Sequence, residues 1–144
     1  MKLAIKAAPI VVLILSTCVA AFLYVSCKPI WQFDHLEKNA RRVITASELQ
    51  TWATNLLAQY HTNIHLSFTL SELGTNFPQQ LRGLAPELGP HIEVYQWEET
   101  YPEPSVRIWW GSGFLGAAGF EMGPTNFVLG SGNQWQPGVY FFRF

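Results

Sequence analysis

The chain has 144 residues, enough for one ordinary domain and too few for two well-packed ones. Its first 27 residues are mostly apolar and contain both cysteines (Cys18 and Cys27), while residues 28–144 carry 19 aromatics, including all six tryptophans; this excludes a disordered chain and a disulfide scaffold. Residues 43–144 hold eight glutamates against Arg82, Arg107 and Arg143 and no lysine, a formal −5, which excludes nucleic-acid binding by phosphate neutralisation.

Residues 1–6 form a basic tail with Lys2 and Lys6. Between Lys6 and Lys28 lie 21 residues without a charge, AAPIVVLILSTCVAAFLYVSC. As a helix this run is about 30 Å long, the thickness of a bilayer's hydrocarbon core. Residues 7–27 are therefore predicted to be a single transmembrane helix or uncleaved signal anchor, with Trp31 as an interfacial residue beyond it. The lipid bilayer is the first expected partner. A cleaved signal peptide has a shorter apolar region. The third reading is a lipoprotein, because Leu15-Ser16-Thr17-Cys18 and Tyr24-Val25-Ser26-Cys27 each match a lipobox in part. The short basic tail favours a globular domain on the extracytoplasmic side. Lys28, Lys38, Arg41 and Arg42 would make the opposite orientation the positive-inside one.

Residues 28–46 read as a juxtamembrane segment. Pro29 is expected to end or bend the membrane helix, and Asp34 to cap a short helix over 35–44. Residues 47–144 follow as the globular domain. Ser47 as N-cap, with Gln50 three residues on, predicts a helix over 48–60. Its Leu49, Trp52, Ala53, Leu56, Leu57 and Tyr60 share one face. From residue 63 the period changes to two, and Ile64, Leu66, Phe68 and Leu70 predict a half-buried strand. Phe77-Pro78 begins a short helix ending near Leu84. Strands are predicted at 91–98, 105–110, 117–122 and 139–144, joined by turns short enough to favour antiparallel pairing.

No motif carries recognisable chemistry. Gly111-Ser-Gly113-Phe-Leu-Gly116 matches G-x-G-x-x-G, but Gly119, Gly123 and Pro124 leave no helix after it to hold a pyrophosphate. A glycine-rich hairpin between two strands is the better account, and no cofactor is expected. His61 and His65 are four apart across a helix end and a strand, a spacing that brings two metal ligands together only on a helix; His35 and His91 lack partners at ligand spacing. Ser112 and Ser131 lie in no nucleophile elbow. Glu98, Glu99 and Glu103 gather around Tyr101-Pro-Glu-Pro104, with Glu93 on the strand before, and could supply a carboxylate pair for hydrolysis; an acidic solvated loop is the better account.

The aromatic distribution carries more. On the predicted strands Ile92, Val94, Val106, Ile108 and Trp110 share one face. Tyr95, Trp97, Arg107 and Trp109 share the other, and have the residue types of interface anchors. One face can take the helix; a loop, the N-terminal segment or a protein partner must cover the second.

The expected architecture is α+β: an N-terminal single transmembrane helix, then a small domain with a four- or five-stranded antiparallel sheet packed on one main amphipathic helix. In outline, an apolar N-terminal helix leading into a sheet domain is similar to pilins and pseudopilins. The likeness covers architecture alone, since the Gly-Phe processing site and early Glu of that family's helix do not accompany the apolar run. The functional expectation is a membrane-anchored, non-catalytic binding or structural module, the alternatives being a small hydrolase built on the glutamate cluster and a lipid-anchored lipoprotein.

Overall fold

The computed structural model describes residues 2–60, 65–84, 89–96, 103–112, 116–130 and 132–143, with side chains for all of these except 2–10, 25–34 and 112. Helix α1 spans Lys2–Val43, 42 residues, and runs unbroken through Pro29. Of the two outcomes expected at Pro29, a stop or a bend, the stop is corrected, and so is the separate helix capped by Asp34, since 35–43 continue α1. A proline removes one N–H from the ladder and crowds the preceding turn at a cost of about 3 kcal/mol. Here burial of Leu36 and Ala40 farther along the same helix offsets that cost, so Asp34 meets no free helix end.

The two halves of α1 have opposite environments. Over residues 11–24 every side chain is exposed, Val12 by 65% and Phe22 by 71%. Further along, Leu36 and Ala40 are fully buried, followed by Ile44 just past the helix end. Their spacing of four puts all three on one face. The segment read as juxtamembrane thus contributes core residues, and the sheet packs on two helices rather than one. Among the described residues no helix is long and apolar enough to cross a membrane; the apolar run 7–27 extends past 11–24, where side chains are described, at both ends.

Helix α2, Ala46–Gln59, begins two residues before the predicted start because its cap is Thr45, not Ser47. The Thr45 hydroxyl accepts from the Glu48 N–H at 3.2 Å, and the Glu48 carboxylate accepts from the Thr45 N–H at 2.7 Å. A carboxylate is the stronger acceptor at this end of the helix dipole, which is why Glu48 prevails over Gln50. Ile44 and Leu49, at the two positions of a hydrophobic staple, both enter the core. Leu49, Ala53 and Leu56 are buried, while Trp52, Leu57 and Tyr60 pack at the core's margin.

Strand β1 is only Leu66–Phe68. The longer strand expected to include Leu70 is cut short by a second capping box, Thr69 with Glu72, which starts the helical turn α3, Leu70–Leu73. Residues 61–64 lie outside the described residues. Two 3₁₀ turns follow, Gly74–Asn76 and Gln79–Leu81, in place of the predicted short helix. Then come β2 (His91–Tyr95), β3 (Ser105–Ser112), β4 (Gly116–Met122), β5 (Asn133–Gln136) and β6 (Val139–Arg143).

The sheet is antiparallel and six-stranded, in the order β1-β2-β3-β4-β6-β5, where four or five strands were expected. The unforeseen strand is β5, Asn-Gln-Trp-Gln, whose polar residues carry little strand signal. Tertiary contact sets it: a bulge between Gln134 and Gln136 leaves Trp135 unpaired, and its ring lies 5.7 Å from that of Phe120. Gly138, at φ 82°, makes the tight return into β6 in a conformation that L side chains rarely adopt.

One sheet face forms the core. Ile92, Val94, Val106, Ile108, Trp110, Phe120 and Met122 are fully buried beneath the helices, each large aliphatic or aromatic side chain contributing about 1.5–3 kcal/mol. Helix α2 crosses the end of the sheet where β4 finishes and β6 starts. Its Gln50 Nε2 donates to the Gly123 and Pro137 carbonyls at 3.3 and 3.1 Å. Near its other end, the Leu57 and Tyr60 carbonyls accept from Gln96 Nε2, just past β2.

Candidate binding face

Strand alternation sends every second side chain to the face away from the helices. Register aligns Glu93, Arg107, Glu121 and Tyr140 in one row across β2, β3, β4 and β6. A second row aligns His91, Trp109, Gly119 and Phe142. The face is therefore aromatic and charged at once.

Arg107 is its centre. Its Nε and Nη2 donate to Glu121 Oε2 at 3.1 and 2.8 Å, and the Ser105 hydroxyl donates to Glu121 Oε1 at 2.9 Å. The Glu121 side chain is 1% exposed and that of Arg107 12%. Such a buried pair needs every lone pair engaged to offset its desolvation, and three donors on two oxygens go far toward that. The rings of Tyr95 and Phe142 each lie 5.2 Å from the guanidinium carbon, adding cation–π contact.

The half of the face over β4 and β6 is closed by the chain itself. After β4, residues 123–130 fold back so that Phe127 meets Tyr140 edge-on at 5.8 Å. The Tyr140 hydroxyl donates to the Phe127 carbonyl at 3.2 Å.

The half over β1, β2 and β3 is more open. His91 stacks on Trp109 at 4.1 Å, and His65 on Tyr95 at 4.6 Å and 6°. The Tyr95 hydroxyl donates to Glu93 Oε2 at 2.6 Å, and His65 Nε2 lies 3.8 Å from Glu93 Oε1. His91 is exposed, the His65 side chain is 43% exposed, and Trp109 and Glu93 are half-buried.

The structure thus brings Tyr95, Arg107 and Trp109 together on one face. Trp97 lies outside the described residues, as do Glu98, Glu99 and His61. Tyr95 is buried, so in this set it acts as a floor under His65 rather than a projecting anchor. Of the glutamates once grouped near 101–104, Glu93 is held by Tyr95, and Glu103 Oε1 accepts from Asn126 Nδ2 at 3.4 Å. Among the described residues no three of His, Cys, Asp and Glu converge as metal ligands.

Alternation along 91–98 puts His91 on this face with Tyr95; Glu121 and His65 are members that the sequence reading does not assign to it. Alternation alone puts Glu121 opposite Phe120, but its contact with Arg107 depends on the β3–β4 register. His65 falls on the polar side of the alternation from residue 63, but no local pattern pairs it with Tyr95. No known family model, curated protein or solved structure matches this chain.

Proposed function

We propose that the protein is a membrane-anchored, non-catalytic binding module: residues 7–27 cross a bilayer, and the domain beyond displays the open half of its second sheet face to a protein partner on the extracytoplasmic side. The observation that carries the reading is the environment of α1. Valine, leucine, isoleucine and phenylalanine cover its whole circumference between residues 11 and 24, and all are exposed. A helix apolar all round is unstable in water and is suited to burial in protein or lipid. The Ser16 and Thr17 hydroxyls each donate to the Leu13 carbonyl at 2.8 Å, so these two polar groups are satisfied within the helix, as lipid requires.

Support for the display face comes from its composition. A half-buried Trp109 beside His91, His65 and the rim of Arg107 offers flat rings, hydrogen-bond donors and one shielded positive charge, the chemistry enriched in interface centres.

The test has two readouts. In membranes from expressing cells the chain should resist alkaline carbonate, and Ile14→Arg with Leu15→Arg should release it, each arginine costing about 2.5–3.5 kcal/mol at a span's centre. Carbonate extraction of the unaltered chain would end the anchor reading. A Thr125→Cys reporter in a Cys18→Ala, Cys27→Ala background then fixes orientation. Labelling of intact cells by an impermeant maleimide puts the domain outside, and labelling only after lysis puts it in the cytoplasm. For the face, Trp109→Ser should abolish partner capture with little change in melting temperature; a collapse in stability would make Trp109 a structural residue instead.

A further inference from the structure

We infer that the open half of the second sheet face receives a basic side chain, lysine or arginine, from the protein partner, with Glu93 as the carboxylate that takes it; this rests on the display reading above. Glu93 stands in the middle of that half, opposite Ser67 on β1 and Arg107 on β3. Its Oε2 accepts from the Tyr95 hydroxyl at 2.6 Å, which fixes the carboxylate. Its Oε1 accepts no hydrogen bond among the described residues. His65 Nε2 stands off at 3.8 Å, beyond hydrogen-bond reach, with its ring stacked flat on Tyr95.

Charge decides what fits there. The middle row carries Glu93 and Glu121 against Arg107, and Arg107 is engaged by Glu121, to which it donates two hydrogen bonds. With histidine neutral, that row keeps one negative charge, on Glu93. The Glu93 side chain is 19% exposed, so a partner seated on it shuts solvent out from Oε1. A carboxylate covered without a donor is costly, whereas a lysine or arginine head gives it a charge-assisted bond. Residues 43–144, at a formal −5 with no lysine, attract such a segment and repel an acidic one. One row along β3 from Arg107, about 7 Å away, half-buried Trp109 beside exposed His91 offers ring surface for the aliphatic stem.

The experiment uses the full chain in phosphatidylcholine nanodiscs and a fluorescent oligoarginine peptide as the probe, with oligoglutamate for comparison. The chain should bind oligoarginine and not oligoglutamate. Glu93→Gln, which keeps an oxygen for the Tyr95 hydroxyl, should weaken binding about tenfold or more, the loss of a charge-assisted bond. Ser67→Lys, at an exposed position opposite Glu93, should do the same with Glu93 left in place, and carries the comparison alone if Glu93→Gln lowers the melting temperature. Glu72→Gln removes the same charge elsewhere, in a capping box that glutamine also serves, and should cost less than about twofold. Equal losses in Glu93→Gln and Glu72→Gln would mean that the probe follows net charge alone, and overturn the site. Unchanged affinity in Glu93→Gln and Ser67→Lys, or tighter binding of oligoglutamate, overturns it as well. The display reading is decided separately, by partner capture with Trp109→Ser.

Discussion

Arg107 holds Glu121 through two nitrogens on a single carboxylate oxygen, at 3.1 and 2.8 Å, on the sheet face away from the helices. With Glu121 1% exposed, removing either partner strands a charge in a dry site. Glu121→Ala should destabilise the domain by about 3–5 kcal/mol in chemical denaturation, whereas Arg107→Met with Glu121→Met should recover most of that loss. Equal destabilisation in the single and double variants would show that the pair is not the source of the cost.

Gly119 lies against the β3 backbone with no room for a side chain. A Cβ there would meet the Ile108 carbonyl oxygen at 2.0 Å and the Trp109 Cα at 2.6 Å, both backbone atoms. The strands must separate to admit it, so Gly119→Ala should cost about 3 kcal/mol or more. At Gly83 a Cβ meets nothing within 4 Å, and Gly83→Ala should be neutral or gain up to about 1 kcal/mol by restricting the unfolded chain. Paired thermal melts of the two variants check both signs.

Acid should loosen the helix starts. The carboxyl of Glu48 is held below its ordinary value of 4.5 by the Thr45 hydroxyl and then the Thr45 N–H. That of Glu72 is lowered by the Thr69 N–H and then its hydroxyl. Folded values below unfolded ones mean that both caps contribute fully above about pH 4.5 and fade as pH falls through the lowered values. Far-UV circular dichroism of a Thr45→Val, Thr69→Val chain should therefore show a weaker loss of stability below pH 4.5 than the parent. Identical acid profiles would mean that other carboxylates govern the transition.

Where local chemistry decides, the reading from sequence was close. The period-four face of α2, the strands around Val94, Ile108 and Phe120, and the glycine-rich hairpin after Trp110 all follow from side-chain size and alternation, which act over a few residues. The capping residue of α2 was displaced because Thr45–Glu48 and Ser47–Gln50 satisfy the same pattern, and only the bonded geometry separates them. The strand at 66–68 was overextended because Leu70 continues the alternation while Thr69 and Glu72 end it. As for the candidate face, alternation alone placed Tyr95, Arg107 and Trp109 together, since one strand's pleat and an antiparallel neighbour suffice for that.

The sequence by itself determined that residues 7–27 form an uncharged run of bilayer length, that an α+β domain follows, and that Arg107 and Trp109 share a sheet face. These are consequences of composition and of periods two and 3.6, which each residue expresses without knowing its distant neighbours. Tertiary structure decided the rest. It joined 35–43 to the apolar helix across Pro29, because burying Leu36 and Ala40 against β4 offsets one lost hydrogen bond. It drew Asn133–Gln136 into the sheet, because Trp135 has Phe120 and Arg41 to pack on. It also matched Glu121 to Arg107 and folded Phe127 over Tyr140, closing half of the second face. Each of these contacts joins residues remote in the chain, and their free energy exists only once the strands are in register.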